Sequence, residues 1–130
     1  KMEELISVVK PMEGAVETLR FLDENGFKIH LITARHNKYN QITAQWLDEH
    51  NVPYVSLSYT DNKAPLALKK GVRLFVEDSS ANARDLARVG INVILLDKYH
   101  NKDIEDYSRI IRVEDWSDIK TKISGYFQSK

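Results

Sequence analysis

The chain has 130 residues, no cysteine, and 19 basic against 19 acidic side chains, which gives a formal net charge of zero. A neutral chain has no long-range attraction to nucleic acid or to an anionic membrane, so neither is expected as a partner. Disulfides and thiolate metal sites are excluded. With no signal peptide visible and no apolar run near the roughly 20 residues that span a bilayer, we expect a cytoplasmic protein with one core.

The N-terminal part of the chain contains a weakly patterned segment and then a regular one. Residues 1–10 show no clear period and are interpreted as the tail of a cap segment or a linker, so that the core would occupy residues 11–130. A helix with a single apolar stripe ends at Gly26. Residues 27–33 are apolar densely enough for a buried strand.

The middle of the chain continues the alternation of helix and strand. A second helix is predicted from about residue 40 to residue 50. Residues 54–59 alternate between apolar and small polar side chains, with Val55 on the apolar face, which is typical of a half-buried strand at the edge of a sheet. A turn at 60–63 leads into a short helix that ends at Gly71.

The C-terminal part holds two more buried strands, a polar loop, a short edge strand and a final helix. These elements are placed at residues 74–78, 91–97, 98–107, 109–113 and 116–127, with a further helix between the first two strands. Because helices and strands alternate with short connections, the sequence predicts an α/β fold with a parallel sheet covered by helices on both faces.

Polar side chains follow several of the predicted strands. Thr33 ends one strand, the adjacent acids Glu77 and Asp78 end another, and Asp97 ends the next, while Lys63 precedes the strand that bears the acids. Parallel strands bring their carboxyl ends to one edge of the sheet. There a threonine hydroxyl and a lysine ammonium can contact a phosphate, and a carboxylate can hold Mg²⁺.

Each of these residues also has a purely structural interpretation. Asp78 and Ser79 are typical helix N-caps, Thr33 is a β-branched strand residue, and a lysine in a turn is commonly solvated. His30 lies within a strand and is interpreted as a packed core histidine. The order of threonine, lysine and acidic pair along the chain favours the functional interpretation.

That order resembles the haloacid dehalogenase (HAD) superfamily of phosphohydrolases, whose second, third and fourth motifs are similar to Ile29–Thr33, Lys63 and Phe75–Asp78. A narrower similarity is to the 5′(3′)-deoxyribonucleotidases, in Leu31–Arg35, in residues 77–83 and in the tripeptide that ends at Asn101. The resemblance implies a three-layer Rossmann-like sheet and Mg²⁺-dependent hydrolysis of phosphomonoesters such as nucleoside 5′-monophosphates. It implies catalytic roles for Thr33 and Lys63, phosphate or substrate binding by Thr33, Ala34, Arg35 and Lys63, and a metal site at Asp78 supported by Glu77.

The chain departs from this family at the first motif, an Asp-x-Asp that supplies the nucleophile and the general acid/base. No Asp-x-Asp follows an apolar strand anywhere in the sequence. We therefore expect the sheet to lack its first, central strand, between the strands that end at Thr33 and Asp78, and we expect the chain to begin inside or just after the cap. A preceding segment or a partner chain would then complete the sheet and the aspartyl-phosphate chemistry, and this chain alone would be inactive.

The sequence is consistent with two functions. One is the phosphohydrolase, acting on a phosphorylated small molecule that is expected to be a nucleotide. The other is a non-catalytic phosphate-binding, nucleotide-binding or interaction module on a degenerate HAD core. A response-regulator receiver is discounted, because its paired acids would follow the first strand.

Overall fold

The computed structural model describes residues 4–8, 14–33, 44–98, 101–102 and 108–128, with the backbone alone for 4–8 and 124–128. Within these ranges the chain alternates between strands and helices. The strands are β1 (Glu4–Val8), β2 (Phe27–Thr33), β3 (Ser56–Tyr59), β4 (Leu74–Glu77), β5 (Asn92–Leu96) and β6 (Ile110–Val113). The helices are α1 (Ala15–Glu24), α2 (residues 44–49), α3 (Lys63–Lys69), α4 (Ser80–Arg88) and α5 (Trp116–Gln128).

The six strands form one sheet in the order β3-β2-β1-β4-β5-β6, and every neighbouring pair is parallel. Parallel neighbours need a crossover connection, and helices α1, α2 and α4 lie in the connections from β1 to β2, from β2 to β3 and from β4 to β5. The predicted α/β class with a parallel sheet is therefore confirmed.

The expectation that the central strand is missing is wrong. β1 lies between β2 and β4, and its residue Val8 is in register with Leu31 on one side and Val76 on the other. Residues 4–8, which we had assigned to a tail or linker, thus fill the slot between the strands that end at Thr33 and Glu77. A strand here satisfies backbone groups that an open slot would leave unpaired in the core.

The sequence of β1 explains why this strand was missed. The segment Glu-Leu-Ile-Ser-Val is rich in aliphatic residues but does not alternate. A strand at the centre of a sheet that is covered on both faces has no reason to alternate, so the period-2 signal is absent. Its five residues are also too few to distinguish a strand from a helix end by pattern alone.

Apolar side chains are buried on both faces of the sheet. One cluster packs α1 and α5 against one face and includes Leu19, Leu31, Val76 and Ile119. The other packs α3 and α4 against the opposite face, around Phe75. The sheet is therefore the middle of three layers, as predicted.

The two edge strands are β3 and β6, as the sequence indicated. All four residues of β3 are half-buried, and Val55, which we had placed on its apolar face, is 60% exposed. Val55 precedes the strand, and its backbone N–H donates to the carbonyl of Ile29 in β2. An edge position leaves such a side chain without a neighbouring strand to cover it.

Two local predictions about single residues are confirmed. His30 is 9% exposed, and its Nδ1 lies 2.7 Å from Ser56 Oγ on the neighbouring strand. Ser79 caps α4, because its Oγ accepts a hydrogen bond from the backbone N–H of Asn82.

No helix in the described part of the chain is long and apolar enough to cross a membrane.

Candidate active site at the carboxyl edge of the sheet

Thr33 and Asp78 occupy equivalent register positions on either side of the central strand β1. Leu31, Val8 and Val76 form one row across β2, β1 and β4, and Thr33 and Asp78 each follow that row by two residues. With neighbouring strands about 4.8 Å apart, the two backbones are separated by about 10 Å. The structure thus brings these two predicted site residues to one edge of the sheet.

Lys63 and Glu77 form a buried ion pair at this edge. Lys63 is the first residue of α3, and its Nζ lies 3.5 Å from Oε2 of Glu77. The two side chains are 7% and 0% exposed, so Lys63 is not the solvated turn lysine of the structural interpretation. Helix α3 therefore delivers a positive charge to the end of β4.

Glu77 faces inward and holds the backbone that follows β4. Its Oε1 accepts hydrogen bonds from the backbone N–H of Asp78 at 2.9 Å and of Ser79 at 3.2 Å. Burial raises the pKa of the Glu77 carboxyl, against the opposing effects of Lys63 and the two backbone N–H groups. One carboxylate oxygen of Glu77 accepts hydrogen bonds from the backbone, and the other lies beside Lys63. Glu77 therefore stabilises the backbone that follows β4.

Asp78 is the second residue of the acidic pair, and a metal site at this residue stays a prediction. It is half-buried at the end of β4, directly before the N-cap of α4. Within the ranges that the structure describes, no group of three or more His, Asp or Glu side chains could hold a metal ion. Mg²⁺ is commonly bound by one or two carboxylates together with water and substrate phosphate, so a single carboxylate fits part of such a site.

Asp97, at the end of β5, is engaged by two cations. Lys102 Nζ contacts both of its carboxylate oxygens at 2.7 Å, and Arg112 Nη1 contacts Oδ1 at 2.7 Å. The hydrogen bonds from Lys102 and then Arg112 lower the pKa of Asp97. These contacts give Asp97 a structural role beside the candidate site.

The structural role of Asn101 was not predicted from the sequence. The side chain is completely buried, and it connects the backbone after β4 to β5 and to Arg112 of β6. Its only signal in the sequence was the resemblance of the tripeptide that ends at Asn101 to the family. Its hydrogen bonds join residues that are far apart in sequence, which local patterns do not reveal.

Two predicted site residues lie outside the described residues. These are Ala34 and Arg35, so their proposed contacts with substrate stay predictions. By sequence offset, the residue two positions after Val8 is Lys10, which is also outside the described part. No aspartate lies between Val8 and Gly14 in the sequence, so β1 is not followed by an Asp-x-Asp.

A parallel α/β sheet with a hydroxyl, a buried ammonium and an acidic pair at its carboxyl edge is the arrangement of a HAD-like core. Residues 1–127 match the family described as "5' nucleotidase, deoxy (Pyrimidine), cytosolic type C protein". The chain belongs to this family of HAD-type nucleotidases.

Proteins of similar sequence carry related names. A protein of Chlorobaculum tepidum named "Putative 5'(3')-deoxyribonucleotidase" is 31% identical over 129 residues, which cover 95% of this chain and 60% of that protein. A nucleotidase of Clostridium acetobutylicum is 31% identical, over 77% of this chain and 53% of that protein. The chain thus spans little more than half the length of these relatives.

A solved structure supports the fold alone. A chain in the structure of the Pnkp1/Rnl/Hen1 complex superposes with a TM-score of 0.61 at 15% identity, over 72% of this chain and 45% of that one. At this identity the likeness concerns the arrangement of strands and helices.

Proposed function

We propose that the protein containing this chain is a Mg²⁺-dependent phosphomonoesterase that acts on nucleoside 5′-monophosphates. The observation that carries the proposal is the placement of Thr33 and Asp78 at equal height on both sides of the central strand. The buried Lys63–Glu77 pair lies beside Asp78 at the same edge. Membership of a nucleotidase family supports the substrate class.

Each residue has a role that follows from its chemistry. The Thr33 hydroxyl donates a hydrogen bond to a phosphate oxygen, and the Lys63 ammonium offsets the negative charge of the phosphate. Asp78 supplies a carboxylate oxygen to Mg²⁺, which when bound neutralises the phosphate dianion and orients it. Glu77 keeps the Asp78 backbone in place, and Arg35 and the Ala34 backbone contribute substrate contacts.

The covalent step requires an aspartate from outside these 130 residues. In the proposed reaction its carboxylate oxygen bonds to phosphorus as the phosphorus–ester oxygen bond breaks, and the leaving nucleoside oxygen takes a proton from the second aspartate of the same Asp-x-Asp, the general acid. Water then cleaves the aspartyl-phosphate and releases inorganic phosphate. This chain alone is therefore proposed to bind metal and phosphate without turnover.

Phosphate release by the full-length product tests this function. With Mg²⁺ and nucleoside 5′-monophosphates or p-nitrophenyl phosphate, we expect phosphate to appear, and we expect chelation of the metal to stop it. Calorimetry with the same nucleotides distinguishes the enzyme from the alternative, a non-catalytic nucleotide-binding module. Binding without turnover by the full-length product would contradict the enzyme and favour a binding module.

A further inference from the structure

Asn101 uses every hydrogen-bonding position of its side-chain amide. Nδ2 donates to the backbone carbonyls of Asp78 at 2.9 Å and Leu96 at 2.8 Å. Oδ1 accepts from the backbone N–H of Lys98 at 3.1 Å and from Arg112 Nη1 at 2.9 Å. Because two partners only accept and two only donate, they fix which end of the amide is nitrogen.

The main chain of Asp78 is held by side chains at both its polar groups. Its N–H donates to Glu77 Oε1 at 2.9 Å, and its carbonyl accepts from Asn101 Nδ2 at 2.9 Å. A residue fixed on both sides has little freedom to rotate its backbone. The backbone from which Asp78 projects its carboxylate is thus held by Glu77 and Asn101 together.

Arg112 in turn holds Asn101 in place from β6. Its Nη1 and Nη2 donate to the side-chain and backbone oxygens of Asn101, both at 2.9 Å, and Nη1 also contacts Asp97. This use of the planar guanidinium requires two donors in a fixed geometry, which a lysine does not offer. The chain of contacts therefore runs from the edge strand β6 to the end of β4.

We propose that Asn101, held by Arg112, is a positioning residue that orients Asp78 for Mg²⁺ binding. The proposal rests on the function proposed above. A carboxylate already aimed at the metal position loses less conformational freedom when the ion binds, and residues that orient a metal ligand raise affinity for this reason. Asn101 is proposed to act through Asp78 and to touch neither the metal nor the substrate.

The variant Asn101→Asp tests the proposal with little change of shape. It keeps an oxygen for Lys98 and Arg112 but replaces the donor to the Asp78 and Leu96 carbonyls with an acceptor. The matched control is Thr18→Val, which removes a buried hydrogen bond from Thr18 Oγ1 to the Trp116 carbonyl, a contact outside the site. Both are made in the full-length protein and compared by hydrogen exchange and by Mg²⁺ titration followed by NMR at the Asp78 amide.

We expect the amides of Asp78 and Ser79 to exchange faster in Asn101→Asp than in Thr18→Val. We also expect Mg²⁺ affinity to fall about 10- to 100-fold in Asn101→Asp, as is typical when a residue supporting a metal ligand is lost, and to stay near wild type in the control. If Asn101→Asp does not fold, Arg112→Lys, which loosens Asn101 while keeping a positive charge beside Asp97, takes its place.

Equal exchange rates in the two variants, or an unchanged Mg²⁺ affinity in Asn101→Asp, would overturn the positioning role while leaving the proposed function intact. If Mg²⁺ does not perturb the Asp78 amide of the wild-type protein, the proposed function fails, and the positioning role fails with it.

Discussion

At the scale of single residues, the Lys63–Glu77 pair has the largest energetic consequence. Both side chains are buried, and Glu77 Oε2 has no hydrogen-bond partner among the described residues although Lys63 Nζ lies 3.5 Å away. Removing water from two charges is costly, and their mutual attraction repays it only while both are present. The pair is therefore sensitive to the loss of either member.

Replacing Lys63 by methionine should destabilise the fold by about 3–5 kcal/mol, because it leaves the Glu77 carboxylate buried without its cation. Denaturant unfolding measures this loss. The control Lys69→Met, at an exposed position in the same helix, should stay within about 0.5 kcal/mol of wild type. Lys63→Met/Glu77→Gln should be more stable than Lys63→Met, and a double variant no more stable than the single one would argue against the pair.

His30 should make the stability of the fold depend on pH. Burial, and then the charges of Lys70 and Lys28, lower the pKa of His30 below its ordinary value of 6.5. Between the lowered pKa and 6.5 the unfolded chain binds more protons than the folded one, so stability falls as the pH drops through this range.

The free energy of unfolding, measured from pH 8 to pH 5, checks this prediction. Wild type should lose more stability on acidification than His30→Asn, which keeps a polar side chain but does not titrate. A difference between the two proteins that stays constant across the range would show that His30 is protonated equally in both states.

The role of a single residue could be predicted from the sequence only where that role depends on neighbouring residues in the chain. The cap at Ser79 and the order of Thr33, Lys63 and Asp78 could be found in the sequence, because each lies at a recognisable strand or helix end. The contacts of Asn101 with Asp78, 23 residues away, depend on the assembled sheet and could not be found in this way.

At the scale of elements, β1 determines whether the sheet is continuous. It pairs with β2 over five residues and with β4 over three. Its sequence carries no alternation, since neither face of a central strand is solvated. Pairing between distant strands, rather than local propensity, therefore decides the conformation of this segment.

Deleting residues 1–10 should unfold the chain, because β2 and β4 would lose their shared partner and their facing backbone groups would be unpaired. Circular dichroism and denaturant unfolding measure the outcome. Deleting residues 1–3 alone, which leaves Glu4–Val8 in place, is the control and should preserve the fold. Undiminished stability after the longer deletion would mean that residues 4–8 are a linker.

At the scale of the whole molecule, the sheet is the frame that makes an active site from scattered residues. Thr33, Lys63 and Asp78 are 30 and 15 residues apart in sequence. Parallel pairing brings Thr33 and Asp78 to one edge of the sheet, and helix α3 brings Lys63 to the same edge. The alternation of helix and strand predicted this edge correctly. The nucleophile could not be located from the sequence, because these 130 residues contain no Asp-x-Asp.

The most direct test of the central claim, that Asp78 holds Mg²⁺ for phosphate ester hydrolysis, is a comparison of phosphate release by the full-length protein and its Asp78→Asn variant. At saturating nucleoside 5′-monophosphate and Mg²⁺, we expect Asp78→Asn to lose at least about 100-fold in rate, beyond the loss typical of supporting residues. Asp85→Asn, an exposed acid on α4 paired with Arg88, should retain the wild-type rate. Equal rates for wild type and Asp78→Asn would contradict the claim.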